Sequence, residues 1–165
     1  MTLHIEFEKR ADGDTIMRCT RADGSIVGQR HPGARGVFFA YHDLTHLAVE
    51  RTLGRTDGFF GLLAQGWDVA DTEGRGTRGV VPAGAIEVEN LVGLFDRERA
   101  GSVEWSAEEF NDAAAAYAEM HGHPAPTTLT DEQIAAIRAD VRALHEQWRS
   151  TAPGAVLRVE LTARR

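Results

Sequence analysis

The sequence predicts an α+β fold, a small antiparallel sheet packed with about five helices, in a single domain over residues 1–165. Three observations carry that expectation. Thr2 to Glu8 sets Leu3, Ile5 and Phe7 against His4, Glu6 and Glu8, the period-two pattern of a half-buried strand. Between Val37 and Trp148, apolar residues recur instead at helical spacing. Ala155 to Leu161 then turns β-rich again, with Val156, Val159 and Leu161, and is expected to return to the N-terminal sheet. At 165 residues, 42% of them hydrophobic, the chain can bury a core without disulfide or metal staples.

The elements follow in order. Ala11-Asp12-Gly13-Asp14 turns the chain after the first strand, and Ile16 to Thr20 and Ser25 to Gly28 read as two short strands around the Asp23-Gly24 turn, which makes an antiparallel meander. His31-Pro32-Gly33 breaks that pattern. A first helix is expected from Val37 to about Leu53, where Gly54 supplies a stop. A second holds Phe59, Leu62, Leu63 and Trp67, and the polar, glycine-rich stretch Asp68 to Gly79 reads as a surface loop. The third helix carries Val88, Leu91, Val92 and Phe95 and ends at Gly101. Ser106 with Glu109, and Thr130 with Gln133, are capping boxes that open a fourth and a fifth helix. In the fifth, Ile134, Ile137, Val141, Leu144 and Trp148 form one apolar stripe.

Charge and cysteine content narrow the function classes. Eighteen basic residues against 25 acidic give a net charge of −7, which repels phosphate backbones and anionic lipid surfaces, so neither nucleic acid nor membrane is an expected partner. Cys19 is the single cysteine, which excludes an internal disulfide and a cysteine-based zinc cluster. The first ten residues mix charge with apolar side chains and lack the apolar core of a signal peptide, and no run reaches bilayer length. A cytoplasmic protein is expected.

One constellation carries chemistry. On the first helix, His42 and His46 lie one turn apart, about 40° around the axis and about 6 Å along it, so two imidazoles can grip one ion. Asp43 sits at the edge of that pair, as a further ligand or a ring-orienting group. Glu50 continues the stripe but lies about 12 Å from His42, which favours holding the His46 ring, or acting as an acid or base beside the ion, over direct ligation. Phe38, Phe39, Val49 and Leu53 flank the same face and place the rings in apolar surroundings, where unpartnered polar groups are costly. Core histidines bonded to carboxylates would share this spacing. A metal site needs another ligand from elsewhere, and His31, Asp57, Glu87 and Glu89 are the candidates.

Two weaker motifs are present. Gly74-Arg75-Gly76-Thr77-Arg78-Gly79 fits G-x-G-x-x-G without the strand and helix that a nucleotide fingerprint requires. His121-Gly122-His123-Pro124 reads as a helix end and turn.

The segment Tyr41-His42-Asp43-Leu44-Thr45-His46, followed by Leu53-Gly54 and an amphipathic helix, resembles the His-Asp-x-x-His motif of ubiquinone-biosynthesis zinc proteins over about 30 residues. In that family a glutamate on the following helix completes the site, whereas Thr56 to Leu63 here holds only Asp57. The resemblance implies a metal role for His42, Asp43 and His46 and carries no activity further. The His-Asp dyad also resembles that of the all-helical, metal-dependent HD-type phosphohydrolases, although His31, the upstream candidate, stands at a strand-to-helix boundary. More broadly the chain is similar to bacterial proteins with a His-Asp-Leu-x-His-x-Ala-Val-Glu segment, residues 42–50 here, which implies no particular reaction.

The expectation is therefore a divalent-metal-binding protein, with zinc first and iron, nickel or manganese as alternatives, serving as a hydrolase or lyase of a small molecule. In it His42, His46 and Asp43 attend the metal and Glu50 is the catalytic or holding group. The alternative is a non-enzymatic interaction or ligand-binding module with a structural metal or none, its fourth and fifth helices offering a face for a homodimer or another partner.

Overall fold

The computed structural model describes residues 2–162 and has an α+β fold. Its strands are β1 (Thr2–Lys9), β2 (Thr15–Thr20), β3 (Ile26–His31) and β4 (Val156–Thr162), in the order β3-β2-β1-β4 with every neighbouring pair antiparallel. The C-terminal strand closes on the first, with Leu161 opposite Leu3 and Leu157 opposite Phe7. Alternation decides the faces: Leu3, Ile5, Phe7, Met17 and Cys19 are fully buried, while His4 and Arg18 are exposed.

The helices are α1 (Gly33–Leu53), α2 (Phe59–Ala64), α3 (Val69–Thr72), α4 (Ala83–Gly101), α5 (Ala107–Met120) and α6 (Asp131–Ser150). Both capping boxes read from the sequence open α5 and α6. Gly54, left-handed at φ 65°, ends α1. The third strand runs on to His31, past its expected end at Gly28, and three helical features also differ from expectation. The first helix begins at Gly33 rather than Val37, directly after Pro32, whose fixed φ suits the position before a helix. The second ends at Ala64, short of Trp67. An additional helix, α3, lies within the segment expected as loop, where Asp71 Oδ2 accepts the Asp68 backbone N–H at 3.0 Å across its single turn.

Two apolar clusters flank α1. One joins the inner sheet face to Leu44, Leu47, Phe60 and the end of α6, where Trp148 meets Phe7 edge to face. The other joins Val49 to Val88, Val92, Phe95, Phe110 and Ile137 from α4, α5 and α6. From Asp43 to Glu50 every residue of α1 is buried, so this helix runs through the protein's interior instead of presenting one stripe. No helix among the described residues is long and apolar enough to cross a membrane.

Phe7 fills the layer between sheet and helices, so Phe7→Ala is expected to destabilise by about 3–5 kcal/mol in urea unfolding; a loss below about 1 kcal/mol would show that this layer is not the one holding the sheet.

Candidate metal centre

A helix buried on all sides must find partners for its polar side chains. Thr45 turns its hydroxyl back to the carbonyl of Tyr41 at 2.9 Å. Glu50, fully buried, reaches the start of α2 and accepts the backbone N–H groups of Phe60 at 3.1 Å and Gly61 at 2.8 Å. It thereby caps a helix whose own N-cap, Gly58, has no side chain to offer. Gly58 is required for the approach, because a Cβ there would lie 2.5 Å from the Glu50 carboxyl carbon.

The two histidines turn to α4. His42 Nδ1 donates to Asp96 Oδ2 at 2.8 Å, and His46 Nε2 donates to Glu89 Oε2 at 2.9 Å. His42 Nε2 lies 3.5 Å from the other Glu89 oxygen, so one carboxylate stands between the two Nε2 atoms. Behind the second ring, His46 Nδ1 is 3.5 Å from Glu50 Oε1, an ion-pair contact without hydrogen-bond geometry. The ring centroids are 4.9 Å apart, and Phe38 stacks on His42 at 5.8 Å. Donor atoms of His42, His46 and Glu89 all lie within 4.8 Å of one another.

Charge follows from these contacts. Burial alone would lower His42, but the Asp96 and Glu89 carboxylates outweigh it and raise the ring to about 10. Burial likewise opposes the charge on His46, and Glu50 and Glu89 raise it to about 9. Glu89, against its own desolvation, is held well below the usual carboxylate range by the two rings. Asp43 moves the other way: burial pushes it up to about 7 despite the nearby His46 and His42.

Of the residues singled out in the sequence, the structure brings His42, His46 and Glu89 together. Asp43 is buried on the wall of the adjoining pocket, of about 260 Å³, and stands outside that converging group. His31 lines the same pocket, stacked on Phe39 at 4.1 Å. Asp57 and Glu87 are both engaged by Arg55. His121 stacks on Tyr117, and His123 faces Asn90. The G-x-G-x-x-G loop turns its N–H groups inward, Thr77 and Arg78 both donating to Asp71 Oδ1.

Asp96, which accepts from His42, is the member of this cluster that the sequence did not single out. It follows Glu89 by seven residues, two helical turns, beside the apolar stripe of α4, and that acidic spacing is the signal that could have found it. A wider recess of about 430 Å³ between α4 and α6 is rimmed by Arg99, Arg138 and Arg142. Their charges meet Asp96, Glu98 and Glu104, and the recess holds none of the converging donors.

No protein-family model, curated protein or solved structure matches the chain.

Two outcomes follow from this geometry. Glu50→Ala strands two buried N–H groups and is expected to cost about 2–4 kcal/mol in urea unfolding, with Glu50→Gln milder; an unchanged midpoint for both would contradict the capping role. The second concerns chelator-treated, metal-free protein. Rings raised above the ordinary 6.5 stabilise it fully below pH 6.5, and that contribution is lost as pH rises through about 9 and 10. Asp43, raised from 3.8 to about 7, acts in the same sense at lower pH, its contribution being lost by about pH 7 and adding nothing to the fall above it. Tm should therefore fall between pH 6.5 and 10, and a flat or rising Tm over that range contradicts the charge assignment.

Proposed function

We propose that the protein binds one divalent metal ion through His42, His46 and Glu89 and uses it on a small organic molecule, as a hydrolase or lyase. The observation that carries this reading is the way the rings are held. Each Nε2 faces the Glu89 carboxylate, and each Nδ1 has a carboxylate behind it, Asp96 for His42 and Glu50 for His46. Metal-binding histidines are oriented in this manner, through the ring nitrogen that does not bind.

The donor set fits such an ion. Ligands held at about 2.0–2.1 Å around a tetrahedral ion stand about 3.3 Å apart, and the three donors here already lie within 4.8 Å of one another. Two imidazoles and a carboxylate suit zinc first, with iron, nickel or manganese as alternatives. Three protein donors beside a pocket leave room for a further ligand, as catalytic sites do and closed structural sites do not. There the ion supplies Lewis-acid chemistry, making water acidic enough to attack at neutral pH and polarising a carbonyl.

The residues divide the remaining work. Asp96 and Glu50 hold the rings, and Glu50, engaged by two backbone N–H groups, acts by positioning His46. Asp43, on the pocket wall next to His42, is the carboxylate placed to exchange a proton with a bound molecule.

A second reading has an observation of its own. At 2.8 and 2.9 Å the carboxylates already partner the rings, and a buried ion-pair network of that kind needs no metal. It would belong to a non-enzymatic interaction or ligand-binding module.

Elemental analysis of untagged protein separates the two. The metal reading expects about one ion per chain, lost in His42→Ala, His46→Ala and Glu89→Ala, and held about 10–100-fold more weakly in Asp96→Asn. Because both rings carry protons at neutral pH in the metal-free state, affinity should also rise with pH, with protons released on binding. Metal-free wild type that takes up no zinc, with variants indistinguishable from it, leaves the ion-pair reading standing.

A further inference from the structure

The recess between α4 and α6 combines cationic and apolar surface. Its volume, about 430 Å³, falls within the ~300–1,000 Å³ usual for small-molecule sites. Phe95 lies beneath it, nearly fully buried, and half-buried Val141 forms part of its wall. Val103 lines it as well and keeps 44% of its surface exposed, an apolar side chain left in water on the turn that follows α4.

Charge in the recess has a definite sign. Its charged lining is Arg99, Arg138 and Arg142 against Glu98 and Glu104. His145 also lines it, and burial lowers that ring below its ordinary 6.5, so it adds no charge at neutral pH. Three guanidinium groups against two carboxylates leave one positive charge over, in a chain whose net charge is −7.

The three arginines are unequally engaged. Arg138 is committed: buried Glu98 accepts its Nε at 3.0 Å and its Nη2, and takes the Trp105 N–H at 2.9 Å besides. Arg142 meets Glu104 in one contact at 2.8 Å, with both side chains mostly exposed. Such a pair is weakly held. Arg99 stands 3.5 Å from Asp96 Oδ1, while the other Asp96 oxygen accepts from His42, a ring raised to about 10 and so protonated at neutral pH. Asp96 is thus shared between two cations, and Arg99 lacks a full partner. Both free-standing arginines can be reached, since Arg99 keeps 38% and Arg142 63% of its side-chain surface exposed.

We infer that this recess binds a compact organic monocarboxylate, its carboxylate received by Arg99 and Arg142 and its apolar body by Val103 and Val141, over Phe95. The planar fork of a guanidinium matches a carboxylate. One surplus positive charge balances one negative charge, whereas a phosphate brings up to two and would face Glu104 uncompensated. The site is separate from the proposed metal centre and does not depend on an ion there.

Hexanoate, its uncharged counterpart hexanamide, and inorganic phosphate test this by calorimetry and amide NMR on the full chain, as purified and after chelator treatment. Hexanoate should bind about tenfold or more tightly than either comparison compound, equally in both preparations, and should shift the Ser102 and Val103 amide signals. Arg99→Gln and Arg142→Gln should each weaken hexanoate about fivefold, and Val103→Ser about threefold. Arg142 is exposed and weakly paired, so its variant decides the matter if Arg99→Gln fails to fold. Hexanamide or phosphate binding as tightly as hexanoate, hexanoate binding indifferent to Arg142→Gln or lost on chelator treatment, or no binding at millimolar concentration would each overturn the inference.

Discussion

The structure depends on one constraint: the middle of α1 is buried on every side, and four of its eight residues there are polar. Asp43, Thr45, His46 and Glu50 cannot reach bulk water, so each must be met by something the fold supplies. Much of the surrounding architecture answers that demand. α2 presents its N–H groups to Glu50, and α4 turns Glu89 and Asp96 toward the rings. Apolar residues would have filled this interior with less difficulty, as the two clusters on either side of the helix do.

Removing charges from water is costly, and retaining several in one place requires mutual compensation or an ion. Here the acids outnumber the rings: Asp43, Glu50, Glu89 and Asp96 surround His42 and His46. That excess of negative charge is what lifts both rings far above neutrality in the metal-free protein, and it is also what would welcome a divalent cation. The same carboxylates thus serve both readings. Both rest on the same contacts: His46 Nε2 and His42 Nε2 stand 2.9 and 3.5 Å from the two Glu89 oxygens, an ion-pair network as built and the donor set that a cation would need.

The sheet was legible in the sequence because alternation survives burial on one face, as Leu3, Ile5 and Phe7 against His4 and Glu6 demonstrate. Helix starts were legible where the cap is local: Ser106 with Glu109, and Thr130 with Gln133, each form reciprocal bonds within four residues. The cap on α2 was not, because its acceptor, Glu50, comes from another helix across a glycine that only the fold brings near. α3 escaped notice since one turn has no period to read. On the site itself, His42, His46 and Glu50 announced themselves by helical spacing, and Glu89 was one of four equal candidates. Choosing among those four required knowing which face of α4 meets α1, and Asp96 stayed hidden because that face was traced through its apolar residues alone.

X-ray absorption at the zinc edge of reconstituted protein addresses the central claim most directly. The account predicts a first shell of nitrogen and oxygen at about 2.0–2.2 Å with the outer-shell scattering of two imidazoles, reduced to one in His42→Ala. A spectrum without imidazole scattering, or one that His42→Ala leaves unaltered, would place the ion elsewhere and leave α1 with an ion-pair network alone.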